Sequence, residues 1–397
     1  MNALLSGWAG ECRGVAAAGR PLRIAFVITS MPVGGAETLL VNLLRSFSPT
    51  RIQPQVVCLK APGILGQAIA TEFPVHSDLI RHRWDASVLW RLRRLLRDQR
   101  IDGVVTVGAG DKMFWGRLAG RSLGLPIVVS ALHSTGWPDG VGRANRWLTP
   151  ITDAFIAVAA SHGQFLVDGE RFPAAKVKVI PNGIDTDRFR FSPAARAAQR
   201  GAWGWDEATP VCGVVAALRP EKNLFLFLDA AALVLAQRPD ARFVIVGSGP
   251  QESALQAHAG QLGLSTKVRF LGLRQDTPAV LSGLDLFTLT SDNEASPVSI
   301  LEALSVQRPV VATRVGSIPE TVLEGQTGFL VPPGDSAPLA EAWLRILTDR
   351  ELGGRLGGEG RRRVVAHHSL ERMTLGYTAL LEAIFSAKSG GPSWTRG

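Results

Sequence analysis

The sequence predicts an α/β protein made of two doubly wound parallel-sheet domains. Strand-like apolar runs and helix-like runs alternate along its length, the pattern of parallel sheets covered by helices. A breaker-rich stretch, "GAWGWDEATP" (201–210), interrupts the rhythm, which then restarts. The 397 residues suit roughly two to three domains.

In the first set, "LRIAFVITS" (22–30) reads as a buried strand, followed by the Gly-rich turn "MPVGGAE" (31–37) and the helix "TLLVNLLRSF" (38–47). "QPQVVCLK", an Arg-rich helix, "DGVVTVG", "PIVVSALH" and "AFIAVAAS" come next. The set closes near "KVKVIPNGIDTDRF" (176–189), a strand broken by Pro and Gly. In the second set, "VCGVVAALR" is a strand, "NLFLFLDAAALVLA" a helix, and "ARFVIVGSGP", "KVRFLG" and "LDLFTLTS" are strands with their turns. "PVVATRVG" and "TGFLVPPGD" complete it. The expected domains are 21–200 and 201–368. A poorly ordered leader (1–20) precedes them. A helix over 369–387, with Ser369 as its cap, and a disordered tail (388–397) follow. In open parallel sheets ligands bind beyond the carboxyl ends of the strands, so two facing units would form a cleft lined by those ends.

Composition narrows the function classes. Apolar residues make up 46% and charged residues 19%, a globular balance. No apolar run is long enough to span a membrane, and the N-terminus lacks the pattern of a secretory signal. The three cysteines, Cys12, Cys58 and Cys212, are widely spaced without metal-ligand spacing; Cys58 and Cys212 read as buried thiols, which fits a reducing compartment. The net charge of +9, mostly from arginine, favours anionic partners. Arginines concentrate in "RHRWDASVLWRLRRLLRDQR" (81–100), where Val88, Leu89, Leu92, Leu95 and Leu96 form a stripe at helical spacing. That segment reads either as a surface helix with a solvated face or as a helix on anionic lipid headgroups, with Trp84 and Trp90 near the interface. Nucleic acid is disfavoured, because no basic patch is interleaved with stacking aromatics.

The chemistry gathers at the strand ends of the second set. "RPEKN" follows "VCGVVAAL", and its Arg219 and Lys222 suit a diphosphate, which carries about two negative charges at neutral pH. "GSGP" (247–250) is a tight turn that allows a ligand close to the backbone. In "SDNEASPVSILEAL" (291–304), Ser296 is the expected N-cap and Pro297 the first helical residue. The N–H groups of Val298 and Ser299 then lack internal partners, which with the helix dipole makes an anion site. Glu294 would project over that anion. Glu302, about one and a half turns into the helix, would accept hydroxyl hydrogen bonds, as from a ribose. Taken singly, Arg219 and Lys222 read equally as surface cations, Glu294 as a loop carboxylate and Glu302 as an exposed helix residue.

The stretch "SDNEASPVSILEALSVQRPVVATRVGSIPETVLEGQTGFLVPPGD" (291–335) closely resembles the signature of the family-four retaining glycosyltransferases of the GT-B fold. Two glutamates separated by seven residues, the "PVVAT" strand, the "VG-x-PE" turn and the closing "LVPPGD" carry the resemblance. "LRPEKN", "VIPNGIDTDRF", "PVGGAE" and "VVSALH" extend it, in order, over about residues 22 to 385. The resemblance implies that Arg219 and Lys222 hold the donor diphosphate, that the Val298 and Ser299 amides take its distal phosphate, and that Glu302 binds the ribose. It also implies that Glu294 contacts the donor sugar, that Gly34 and Gly35 let the first loop approach phosphate and acceptor, that His133 borders the sugar, and that helix 369–387 packs back on the first domain. It implies no metal and no cofactor, a nucleotide sugar as donor, and a glycan or lipid-linked acceptor; the Arg-rich helix adds a cytoplasmic location, peripheral on the membrane's inner face if it binds lipid. The base would be met by backbone around "FLGLRQD", and the acceptor by loops 108–117 and 134–147, near Trp115, Trp137 and Trp147. Two positions depart from the pattern: Ala295 stands where the family usually has Gly, with Ser296 after it, and Gln307-Arg308 replaces a small pair. A sugar-nucleotide 2-epimerase of the same architecture and a non-catalytic sugar-nucleotide module are the alternatives. A glycosidase using Glu294 and Glu302 is disfavoured, because the cations and helix end point to a diphosphate.

Overall fold

The structure, a computed structural model, describes residues 20–82, 85–133 and 142–389. The described chain up to Asn182, rejoined by the chain from Leu370, forms one unit, and Gly183–Ser369 forms the other. Cys12, Trp84, Trp137, nearly all of the leader and most of the tail lie outside the described residues.

The first unit is built on seven strands: β1 (Leu22–Ile28), β2 (Ile52–Cys58), β3 (Val75–His76), β4 (Gly103–Val107), β5 (Ile127–Ala131), β6 (Ala154–Ala157) and β7 (Val177–Val179). They pair in parallel in the order β3-β2-β1-β4-β5-β6-β7. β1, β4, β5 and β6 are buried almost throughout, because helices cover both faces of the sheet. The last helix, Leu370–Ser389, belongs to this unit: Arg51 meets Glu382 at 2.5 Å, and the Ser46 and Thr374 hydroxyls share a hydrogen bond. It runs two residues past the expected end.

The second unit has six strands: β8 (Val211–Val215), β9 (Arg242–Val246), β10 (Val268–Phe270), β11 (Leu286–Leu289), β12 (Val310–Thr313) and β13 (Gly328–Val331). Their parallel order is β10-β9-β8-β11-β12-β13. Trp343 lies fully buried against Phe227 and Phe243, and its indole N–H donates to the Thr288 hydroxyl on β11 at 3.2 Å. That bond satisfies the one polar atom of a large apolar group.

The division between the units falls after Asn182, ahead of the expected 200/201 boundary. Ile184, Phe189 and Trp203 are buried in the second unit's core. Arg196 and Arg200, on helix Pro193–Trp203, reach Asp285 just before β11 at 2.7 and 2.6 Å. The breaker-rich stretch is therefore a turn inside this unit. It begins where Gly204, at φ 70°, ends that helix in the left-handed conformation.

The Arg-rich segment forms a helix only over Val88–Asp98. Its stripe points inward: Val88, Leu92 and Leu96 are buried in the unit's core, with Leu89 and Leu95 packed beside them. Arg91 folds back onto Asp85 and the Leu79 carbonyl. Facing outward are Trp90, 64% exposed, with the Arg94 guanidinium over its ring, Arg97, and Asp98, which Arg94 meets at 3.5 Å. Among the described residues no helix is long and apolar enough to cross a membrane. Cys58 and Cys212 are buried free thiols, and burial pushes Cys58 up to about 12.

Candidate active site

Each sheet changes direction of build once, between β1 and β4 in the first unit and between β8 and β11 in the second. At such a switch point the chain leaves neighbouring strands toward opposite sides, and the carboxyl ends are left open to a ligand. Arg219 and Lys222 follow β8, and the segment 290–297 follows β11. The sheet topology thus sets two sequence-distant loops side by side.

Hydrogen bonds hold these loops together. Thr290 donates its hydroxyl to the carbonyls of Lys222 and Asn223, both at 3.0 Å. The Asp292 N–H donates to Glu221 O at 2.9 Å, and the Asn223 amide donates to the Asp292 carboxylate at 3.0 Å. Asn223 adopts φ 45°, a left-handed turn that ends the short 3-10 segment Pro220–Lys222 and opens the helix Leu224–Gln237. Asn tolerates that conformation better than most residues.

On this frame Lys222 Nζ lies 2.5 Å from Glu294 Oε1, which also accepts the Ser291 hydroxyl at 2.6 Å. The Glu294 side chain is 9% exposed and the Lys222 side chain 22%. Arg219 is exposed, and no hydrogen bond or ion pair is described for its guanidinium. The backbone of Glu294 is clamped from β12. Gly316, at φ 52°, lies so close that a Cβ there would stand 1.8 Å from Glu294 O. The Ser317 N–H donates to that carbonyl at 3.2 Å, the Ser317 hydroxyl donates to Ala295 O, and the Thr313 hydroxyl donates to Ser291 O at 2.5 Å. Gly316 is thus required by close backbone contact as well as by its positive φ.

The following helix is Val298–Ser305, one residue later than expected. Pro297, not Ser296, is its N-cap, with extended backbone and no side-chain cap. Pro cannot cap with a side-chain oxygen, and the carbonyls of Glu294 and Ala295 are already taken by Ser317. No partner is described for the N–H of Val298 or Ser299, and that of Ile300 makes only a 3.3 Å bond to Pro297 O. The open amide end expected from the sequence is present, made more open by the missing cap. Glu302 is half-buried on this helix, and burial raises its carboxyl from 4.5 to about 7, opposed in part by Arg188.

Other expectations shift. The glycines of "GSGP" serve the protein's own backbone: a Cβ on Gly247 would stand 1.9 Å from Ala216 O and one on Gly249 2.5 Å from Leu218 O. Gly34, Gly35 and His133 belong to the first unit, described separately. Gly34 has ordinary extended backbone, with the Glu37 carboxylate 2.4 Å from where its Cβ would be. Gly35 is the first residue of the helix Gly35–Ser46. His133 follows β5, half-buried. Burial, then the charges of His162 and Lys112, hold its imidazole down at about 4, so it is neutral at pH 7. Trp115 packs against the core, whereas Trp147 is 81% exposed.

Several contributors escape a reading of the sequence: Thr290, Asp292, Asn223 and Gly316, which hold the loops, and Ser291, Ser317 and Arg188. Ser291 is hidden by its small size, although the Ser-x-x-Glu spacing to Glu294 was a usable signal. Ser317 and Arg188 carry no local signal for their roles, because each acts on a residue distant in sequence. Among the described residues no group of three or more His, Cys, Asp or Glu is placed to hold a metal ion.

Solved structures share this architecture. Anabaena Alr3699/HepE, solved in complex with UDP-glucose, superposes with a TM-score of 0.80 at 23% identity, covering 93% of this chain and all of that one. A glycosyltransferase from Rickettsia africae gives 0.80 at 18% identity. Two Rossmann-like parallel-sheet units of this topology define the GT-B fold. Residues 33–188 match the family model Glycosyltransferase Family 4, and residues 195–363 match Glycosyl transferases group 1. The GDP-mannose-dependent alpha-(1-6)-phosphatidylinositol monomannoside mannosyltransferase of Mycolicibacterium smegmatis is 32% identical over 70% of this chain and 75% of its own length. The UDP-Gal:alpha-D-GlcNAc-diphosphoundecaprenol alpha-1,3-galactosyltransferase of Escherichia coli is 27% identical over 68% and 72%. The chain belongs to the group 1, family-four glycosyltransferases.

The state of Glu302 has a measurable sign. A carboxyl that titrates higher folded than unfolded binds its proton more tightly in the folded state, so its cost appears as pH rises. The cost is absent below about 4.5 and complete above about 7. Glu302→Gln is therefore expected to raise the thermal midpoint of the ligand-free protein at pH 8 and to leave it near wild type at pH 4.5. An equal difference at both pH values would show that Glu302 is not held neutral by burial.

Proposed function

We propose that this glycosyltransferase is a retaining, metal-independent enzyme that moves a hexosyl group from a nucleoside-diphosphate sugar to a hydroxyl of a glycan or lipid-linked acceptor, in cell-surface polysaccharide or glycolipid synthesis. One observation carries the reading: Arg219, Lys222 and the unpartnered amides of Val298 and Ser299 leave the same switch point, with Glu294 buried among them. Cleaving the anomeric bond leaves positive charge on the sugar and negative charge on the departing diphosphate. Cations and amides gathered around that charge would be the main catalytic device, and they would supply what a metal ion otherwise would. Glu294 takes the sugar's hydroxyls and Glu302 the ribose. His133, neutral at working pH, borders the sugar as a hydrogen-bonding group rather than a cation. The names of relatives support the donor class, since they specify GDP-mannose and UDP-galactose.

Nucleoside-diphosphate sugars with UDP, GDP and ADP headgroups, screened by thermal shift and then assayed with and without acceptor in EDTA, test the reading. Transfer should need the acceptor, survive EDTA and retain the anomeric configuration. Arg219→Ala should lower kcat by roughly a hundredfold. Conversion of the sugar nucleotide without acceptor would make the protein an epimerase, and tight binding without turnover would make it a binding module.

We also propose that the protein works at the cytoplasmic face of an anionic membrane, which Trp90, Arg94 and Arg97 would contact, since the apolar stripe of their helix is used in the core. The protein should sediment with phosphatidylglycerol vesicles at low salt, and Trp90→Ala should weaken this; no sedimentation at low salt ends that proposal.

A further inference from the structure

The site holds an internal competitor. Lys222, suited to phosphate oxygens, is paired with Glu294, suited to sugar hydroxyls. Glu294 Oε1 takes both the Lys222 ammonium at 2.5 Å and the Ser291 hydroxyl at 2.6 Å. Each group therefore occupies part of the other's binding capacity. Arg219 is uncontested, and so are the Val298 and Ser299 amides.

We infer that the Lys222–Glu294 ion pair is a resting lock that makes recognition of the sugar conditional on the diphosphate. The inference rests on the donor-site reading above. A free sugar brings only neutral hydroxyls, which cannot displace an ammonium from a carboxylate in a mostly dry setting, where the pair is weakly screened. A diphosphate brings about two charges and can draw Lys222 away. It docks first on Arg219 and the helix amides, then recruits Lys222. Glu294 keeps its Ser291 bond and the clamp on its backbone, and Oε1 opens to a sugar hydroxyl where the ammonium had been. The geometry thus selects sugars already joined to a diphosphate over the same sugars free in solution. The coupling is reciprocal, as any linkage between two ligands must be.

The sign of one substitution separates this from the alternative, in which the three N–H donors of Lys222 bridge carboxylate and phosphate together. If Glu294 competes for Lys222, removing its charge strengthens diphosphate binding even as it removes a sugar contact. UDP, GDP and ADP are titrated calorimetrically into the full-length wild type, Glu294→Gln, Glu294→Asp, Lys222→Met, and the Glu294→Gln/Lys222→Met double variant. Glu294→Gln is expected to bind the preferred diphosphate roughly tenfold more tightly than wild type. Glu294→Asp, which keeps the charge but draws it back by one methylene, should move the same way by less. The gain should vanish when Lys222 is Met.

If neither Glu294 variant binds more tightly, or if the gain survives Lys222→Met, the lock is wrong. Binding to the wild type that ignores the Glu294 substitutions sinks the lock and leaves the donor site standing. Absence of diphosphate binding in wild type and every variant overturns both.

Discussion

The site depends on one constraint: the loops leaving β8 and β11 must be held edge to edge. Adjacent parallel strands lie about 4.8 Å apart, so their exits begin as neighbours, but nothing in the strands dictates what the loops do next. Thr290, Asp292 and Asn223 settle that by bonding one loop's backbone and side chains to the other's. Lys222 and Glu294, separated by 72 residues of sequence, are then brought within 2.5 Å. From the other side, Gly316 and Ser317 fix the Glu294 carbonyl and leave the helix Val298–Ser305 with an uncapped amide end. Cations, carboxylate and amides are three outputs of one joint.

Much of the architecture could be read from residues alone. The alternation of apolar runs indicates parallel sheets covered by helices, and the glutamate spacing with its "PVVAT" and "VG-x-PE" surroundings indicates the family. The boundary between units was legible only in part. Breakers at 201–210 look like a linker, whereas burial of Ile184, Phe189 and Trp203 puts the preceding helix inside the second core. The stripe from Val88 to Leu96 has the period of a lipid-facing helix and of a core-facing one alike, and only packing distinguishes them. Pro297 shows the limit of local rules. Pro suits a first helical position, yet here it is the N-cap and the helix starts one residue on. The glycines of "GSGP" suggest room for a ligand, yet the room is filled by the backbone of Ala216 and Leu218. Glu302's raised carboxyl was not legible, because burial of one side of a short helix depends on the whole unit.

These departures share a physical cause. Sequence patterns report contacts that are local or periodic. The site is made from contacts across the sheet's switch point, where the chain visits each side once. Its charges are arranged so that Lys222 and Glu294 satisfy each other, while no partner is described for the Arg219 guanidinium or the Val298 and Ser299 amides. That asymmetry is where the proposed diphosphate would begin.

The central claim is that a nucleoside diphosphate binds at this joint, on Arg219, Lys222 and the amides of Val298 and Ser299. Amide hydrogen exchange with and without UDP or GDP tests it most directly. Peptides spanning 218–224 and 296–300 should become protected together on ligand addition, with little change at β13. Binding that leaves both peptides unprotected, or that protects only segments remote from β8 and β11, would contradict the account.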